Sequence, residues 1–288
     1  MSRIEALRAE EDTTDACYNY FQGRLHRDGI NQRARKSMIQ WIQQVSKSLK
    51  LSSETSWIAA SFFDRYMSSG KGKSEEALDD RYMFQLAAIS SFYVAVRVNE
   101  SVELSVAALS KLCKGYYREA DIASMEEDIL FALDWRVACP TPIEIARHLL
   151  ELLPEEVNSD NVLEACRIHL DHASTDFYFT FCKPSVIGAS CFASALTETG
   201  AISSSSSSQR QAFWMQLATI TDLIEVMEAQ KQLLKGRKTC EPRAVAVSTK
   251  KSSGKSIISE KIAKVVQKNT VTVTGNSSPV CVMQAAHE

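Results

Sequence analysis

Apolar residues recur at three- and four-residue spacing along nearly all of the first 235 positions, where glycine and proline are scarce, and this pattern predicts an all-helical body. Ala34, Met38, Trp41, Ile42, Val45 and Leu49 form one continuous stripe, so a helix is expected there. Further helices are predicted over about 54–69, 79–98, 104–114 and 119–134, which gives five in the first half. Pro140-Thr141-Pro142-Ile143-Glu144 then stops the chain and restarts it: Thr141 suits the N-cap, Pro142 the first helical position, and Glu144 completes a capping box.

Five more helical segments follow, near 142–153, 160–180, 184–198, 209–219 and 221–235, separated by Pro154, Lys183-Pro184 and the run Ser203 to Ser208. The two halves also echo each other, since Ala88-Ile89-Ser90-Ser91-Phe92-Tyr93-Val94-Ala95 aligns with Gly188-Ala189-Ser190-Cys191-Phe192-Ala193-Ser194-Ala195. Small residues let neighbouring helices approach closely, so each stretch is expected to be the hub of its own five-helix unit. The predicted organisation is an N-terminal helix and lead-in over 1–32, a first repeat over 33–138, a second over 139–235, and a basic, disordered tail over 236–288.

Composition limits what such a body can do. The chain has 288 residues, 45% hydrophobic and 24% charged, enough for a sizeable core, with a net charge of -2. That balance is uneven: residues 235 to 288 hold ten Lys or Arg against Glu241, Glu260 and Glu288, a balance of +7 that leaves -9 for the rest. An acidic body argues against broad binding of nucleic-acid phosphates by the folded part, so no direct nucleic-acid partner is expected. No apolar run is long enough to span a bilayer, and the start of the chain lacks a signal-peptide apolar region, so an intracellular protein without a membrane partner is expected. The eight cysteines are scattered, without the close pairs of a zinc ribbon or a disulfide framework, and are expected to be reduced thiols.

Two charges stand out by position. Arg97 ends the apolar stretch Gln85 to Val96, and Glu126 sits in the helical segment Asp121 to Leu130; meeting at one edge of a helical core, they would make a directional recognition site. Arg35 and Asp64 are read as an internal charge pair between helices. Cys166, His169, His172 and Asp176 lie at helical spacing, but three-residue steps carry them around the helix and no second cluster supplies further ligands, so a metal site is not expected. Carboxylate pairs such as Glu126-Glu127 and Glu155-Glu156 lie among surface charges, with no glycine-rich phosphate loop or nucleophile constellation. The chain is therefore not expected to be an enzyme, to hold a cofactor or to carry catalytic residues.

Several ordered segments resemble the cyclin family. Ala34-Arg35-Lys36-Ser37-Met38-Ile39-Gln40-Trp41-Ile42-Gln43-Gln44-Val45 looks like the opening of a cyclin box, Phe63-Asp64-Arg65-Tyr66-Met67-Ser68 its second-helix signature, Gln85 through Glu100 its central helix, and Asp121 through Trp135 its fifth. Pro140-Thr141-Pro142 resembles the bridge to a second repeat, and Lys183-Pro184-Ser185 the start of that repeat's central helix. Together they cover about residues 1 to 235 and imply two tandem five-helix cyclin folds. Leu7-Arg8-Ala9-Glu10-Glu11 followed by Tyr20-Phe21 looks more like G1, D-type cyclins than mitotic ones, although the Leu-x-Cys-x-Glu motif of D-type cyclins and a destruction box are absent.

The resemblance implies a regulatory subunit that binds and activates a cyclin-dependent Ser/Thr protein kinase in cell-cycle control. In the family, a Lys on the central helix and a Glu on the fifth grip the kinase's regulatory C-helix; Arg97 and Glu126 occupy those positions here, with Arg in place of Lys. The family's apolar patch for substrate or inhibitor peptides is represented only in part, by Met38, Trp41 and Gln85. Lys235, Arg237 and Lys238, followed by Lys250 and Lys251, have the look of a bipartite nuclear import signal, so nucleus and cytoplasm are the expected locations. The alternative functions are a cyclin-fold transcription factor, against which stand the missing zinc ribbon and the acidic body, or a helical scaffold without kinase activation.

Overall fold

A computed structural model describes residues 3–13, 17–23, 30–151, 153, 159–201, 211, 214–215, 217–218 and 221–240. Among these, every regular element is a helix. They are α1 (Arg3–Glu11), α2 (Gln32–Ser48), α3 (Ser53–Ser69), the short α4 (Ser74–Ala77), α5 (Arg81–Asn99), α6 (Val106–Leu112), α7 (Glu119–Ala132), α8 (Pro142–Leu150), α9 (Ser159–Thr175), a 3-10 turn (Phe177–Phe181), α10 (Pro184–Thr199) and α11 (Leu223–Cys240). The helix expected over 209–219 and the tail beyond 240 fall largely or wholly outside the described residues.

Local chemistry sets the boundaries. The Asn31 side chain accepts from the backbone N–H groups of Arg33 and Ala34, Asp80 from those of Tyr82 and Met83, and Thr141 from that of Glu144, with Pro142 in the first turn behind it. Gly70 and Gly200 end α3 and α10 in the left-handed conformation, which costs a residue without Cβ nothing. The single helix expected over 160–180 is divided at Asp176, whose carboxylate accepts from the Tyr178 N–H and opens the 3-10 turn.

Packing gathers these elements around two hydrophobic clusters. One joins α2, α3, α5 and α7, with Phe62, Phe63, Phe84, Phe92 and Ile129 wholly buried; the other joins α8 to α11 around Ile145, Leu149, Cys166, Cys191 and Phe192. The hubs are α5, buried without a gap from Phe84 to Val96, and α10, buried from Ser185 to Leu196. Ser90 and Ser190, aligned by the sequence echo, are both fully buried, and each hydroxyl finds a backbone carbonyl, Ile122 and Ile187 respectively. Burial pushes the Cys113 and Cys166 thiols up to about 12, so both stay protonated at neutral pH.

The first helix crosses over to the second half. Leu7 packs in the second cluster, and Glu11 accepts from both the backbone N–H and the hydroxyl of Ser185 at 3.0 and 2.9 Å, so a carboxylate sits on the N-terminus of α10. Burial raises the pKa of Glu11, and the Ser185 bonds and nearby Lys183 oppose that rise.

The two clusters are joined by one buried ion pair. Arg35 on α2 grips Asp64 on α3 bidentately, Nε to Oδ1 at 2.8 Å and Nη2 to Oδ2 at 2.6 Å, and its Nη1 donates to the Ser174 carbonyl on α9 at 3.1 Å. Tyr20 donates to Asp64 Oδ1 at 2.8 Å, and the guanidinium lies 5.6 Å from the Phe177 ring centroid. Burial alone would lower the pKa of Arg35, but the Asp64 carboxylate more than offsets it, so the arginine stays charged.

Two predictions follow from this packing. Asp64→Asn keeps the shape but strands the buried guanidinium, and is expected to cost about 3–5 kcal/mol in a urea titration; Arg35→Met with Asp64→Leu should recover much of that loss, because it leaves no buried charge. Glycine positions separate just as cleanly. A Cβ at Gly188 would sit 2.5 Å from the Pro142 carbonyl oxygen and 2.9 Å from Ile145 Cβ, where α10 crosses α8, whereas one at Gly236 would meet nothing within 4 Å. Thermal melts should show Gly188→Ala destabilising by about 1–3 kcal/mol and Gly236→Ala stabilising by about 0.5–1 kcal/mol.

Candidate functional site

Helix α5 places Arg97. After thirteen consecutive buried residues the helix emerges from the core, so Arg97, Val98 and Asn99 are exposed before Glu100 turns into extended backbone. That end is pinned to the start of α3: the Glu100 carboxylate accepts from the Ser52 N–H at 2.8 Å and from the Thr55 hydroxyl, and Asn99 Nδ2 donates to Thr55 Oγ1 at 2.9 Å. A fixed helix end makes a fixed point of departure for the Arg97 side chain.

Arg97 reaches across to α7 and pairs with Glu126 through Nη1 and Oε1. Its guanidinium also lies over the Tyr93 ring, 5.7 Å from the centroid. The pair is asymmetric, with 57% of the Arg97 side chain exposed against 13% for Glu126. Burial and the Glu126 carboxylate raise the Tyr93 pKa, so its hydroxyl remains protonated at neutral pH. The two charges singled out in sequence therefore meet, in the last turn of α5. An exposed pair of this kind contributes little to folding, which leaves it free to serve another purpose.

Sequence reasoning missed the apolar surface on the same two helices. Phe131 and Trp135, each 68% exposed, lie at and just beyond the end of α7, and Val98 and Val102 are exposed after Arg97. A signal for them exists: the buried positions of α7 run Ile122, Met125, Ile129 and Ala132, and Phe131 is out of phase with that stripe.

Met38, Trp41 and Gln85 do not form a surface patch. They are 0%, 1% and 3% exposed; Trp41 packs edge-on against Phe92 with centroids 6.1 Å apart, and Gln85 accepts from the Tyr117 hydroxyl at 2.6 Å. A peptide could not reach these side chains, because they fill the first hydrophobic cluster between α2 and α5. The Arg35 and Asp64 pair is likewise wholly internal.

The Cys166, His169, His172 and Asp176 set is dispersed by its other bonds. Cys166 is in the core, His169 Nε2 lies 3.1 Å from a Glu198 carboxylate oxygen, and Asp176 accepts from Gln232 Nε2 at 2.9 Å. Among the described residues, no group of three or more His, Cys, Asp or Glu is placed to hold a metal ion, and no helix is long and apolar enough to cross a membrane.

Comparison with known proteins agrees with this arrangement of helices. Residues 3–138 match the family described as the cyclin N-terminal domain. Among curated proteins, the chain is 26% identical over 165 residues to Cyclin-A3-3 of Arabidopsis thaliana, covering 57% of this chain and 48% of that one. It is 30% identical over 148 residues to Cyclin-D3-2 of the same plant, covering 51% and 38%, and 23% identical over 194 residues to G1/S-specific cyclin-D1 of Mus musculus, covering 67% and 63%. The chain thus spans about half or less of the two plant proteins. Among solved structures, a viral cyclin from herpesvirus saimiri superposes with a TM-score of 0.64 at 15% identity, over 82% of this chain and 98% of that one, which shows the fold. Residues 3–138, from α1 to the end of the first hydrophobic cluster, thus carry the N-terminal domain of the cyclin family, on a body with the cyclin fold over most of its length.

Proposed function

We propose that this chain is the regulatory subunit of a cyclin-dependent Ser/Thr protein kinase, which it binds and activates in cell-cycle control through the surface around Arg97 and Glu126. The observation that carries the proposal is the Arg97–Glu126 pair itself: two helix-borne charges, joined at the rim of the first repeat, in the positions where the family holds its kinase-gripping Lys and Glu. A further support is that the chain superposes, with a TM-score of 0.51 at 15% identity over 70% of this chain and 62% of the other, on a chain of the CAK complex from Chaetomium thermophilum bound to ATP-gamma-S.

The mechanism is a shift of population. Kinase catalysis requires a Lys–Glu ion pair inside the kinase lobe, and that pair forms only when the regulatory helix is held inward. A partner that binds the inward state more tightly than the outward one enriches it by its differential affinity. On this chain, Arg97 supplies exposed N–H donors to carbonyls at the end of such a helix, and Glu126 holds the guanidinium at its base. Exposed Phe131 and Trp135 add apolar area at the end of the helix that carries Glu126. The cyclin supplies no reacting group, so catalysis resides in the kinase. Import through the basic clusters at Lys235 to Lys238 and Lys250-Lys251, giving nuclear and cytoplasmic populations, belongs to the same proposal.

Co-purification of a kinase from dividing cells tests it. Arg97→Ala with Glu126→Ala is expected to weaken the complex by about 2 kcal/mol or more, over about 30-fold in Kd, with circular dichroism and melting temperature close to wild type. Equal kinase recovery with a folded double variant would remove this surface from the interface. Arg97→Lys should retain most of the binding if a point charge suffices, and lose it if the planar fork is what the partner reads.

A further inference from the structure

An open groove of about 400 Å³ lies between the start of α2, the end of α9 with its 3-10 turn, and the later part of α11. Its depth is apolar: Phe177, Phe179 and Leu233 line it at 6%, 3% and 4% exposure. Its mouth is cationic, since Arg33, Lys36 and Lys235 line it from exposed positions. Among the described residues, none of these three side chains makes an ion pair or a hydrogen bond. The Asp176 carboxylate also lines the groove, but both its oxygens are engaged, Oδ1 by the Tyr178 N–H at 3.0 Å and Oδ2 by Gln232 Nε2 at 2.9 Å.

The placement of two of the cations runs against local electrostatics. Helix α2 has no acidic residue in its first turn, where a helix start favours negative charge, and carries Arg33 there with Lys36 three residues on. Arg35 between them is accounted for by its pairing with Asp64, whereas Arg33 and Lys36 find no such partner among the described residues. Unpaired cations gathered over an apolar depth suit a ligand that brings carboxylates and an apolar group together. A nucleic-acid strand would bring a continuous row of phosphates, which a body of net charge -9 repels beyond the groove; a short acidic peptide confines its charge to the mouth.

We propose that this groove docks an acidic segment of a partner protein, with Arg33, Lys36 and Lys235 meeting its carboxylates and an apolar side chain directed toward Phe177 and Phe179. Arg97 and Glu126 lie on α5 and α7, neither of which lines the groove, so this docking stands or falls apart from the kinase contact.

The test is fluorescence anisotropy on the full chain with four labelled probes: a short peptide of Glu and Asp around a central Leu-Phe, the same peptide with Gln and Asn for its acids, the same peptide with Ser-Ser at its centre, and a thymidine oligonucleotide of equal charge. The expected result is saturable binding of the acidic Leu-Phe peptide that weakens as salt rises, with the neutral peptide and the oligonucleotide about tenfold weaker and the Ser-Ser peptide about threefold weaker. Arg33→Gln with Lys36→Gln should lower the affinity about tenfold at a melting temperature equal to or above wild type, because it removes cations from a helix start. Lys111→Gln with Lys114→Gln makes the same change of charge at exposed positions outside the groove, and should leave the affinity within about twofold of wild type. The proposal is overturned by no saturable binding of the acidic peptide up to about 1 mM at about 50 mM salt, by a neutral peptide, Ser-Ser peptide or oligonucleotide that binds as tightly, or by equal losses in the two double variants.

Discussion

The Arg35–Asp64 pair is the constraint on which the rest of the arrangement depends, because it is the point where both hydrophobic clusters are held by the same charged atoms. Asp64 is tied to α2 through Arg35 and to the N-terminal lead-in through Tyr20, and Arg35 continues to the Ser174 carbonyl on α9. Apolar packing alone allows two helical units to slide against each other, since dispersion and burial are non-directional. A bidentate fork with a third donor assigned to a backbone carbonyl admits one register. The neighbouring contacts reinforce that register: Gln43 Nε2 donates to the Asp171 carbonyl at 2.8 Å, and Lys47 pairs with the Asp171 carboxylate at 2.7 Å.

This register has consequences for the surface. Helix α3 leaves the buried pair in one direction with Arg65 and in the other with Thr55, and Thr55 is where the end of α5 is pinned through Glu100 and Asn99. The position of Arg97 is thus relayed from the core through two rigid helices rather than through a loop, which suits a site that must present charge to a partner without much loss of freedom on binding. The Arg97–Glu126 bond extends that preorganisation to the side chain. It also sets a condition on function, since any partner group that reaches Glu126 must compete with an arginine already in place.

What the sequence made legible was local. The restart at Thr141-Pro142, the small-residue hubs and the pairing of Arg35 with Asp64 each depend on a few neighbouring residues or on a recognisable pattern. What it concealed depended on long-range placement. The stripe through Met38 and Trp41 announces an apolar face but not how deeply that face is covered, and the packing of Phe92 and Tyr117 decides that nothing of Trp41 or Gln85 is left outside. Leu7 of α1 joins the second cluster, a contact over more than a hundred residues that no periodicity records. At Asp176 the tendency of a carboxylate to bond its own downstream N–H overrode a helical apolar pattern.

Arginine at position 97 is best understood from its two attachments. A lysine ammonium in the same place could satisfy Glu126, but it would have no planar face to lay over Tyr93 and fewer donors to spare. Arg97 spends one nitrogen on Glu126 and holds its guanidinium carbon 5.7 Å from the Tyr93 ring centroid, yet more than half of the side chain remains in solvent. Arginine at this position therefore leaves exposed donors at the end of α5. It converts a swivelling point charge into a fork whose direction is set by the chain itself, which narrows the geometry of any carbonyl or carboxylate that can meet it. On the proposed kinase contact, selectivity gained in this way would come from excluding misaligned partners rather than from strengthening a matched one, because the outer donors are solvated until the partner removes the water.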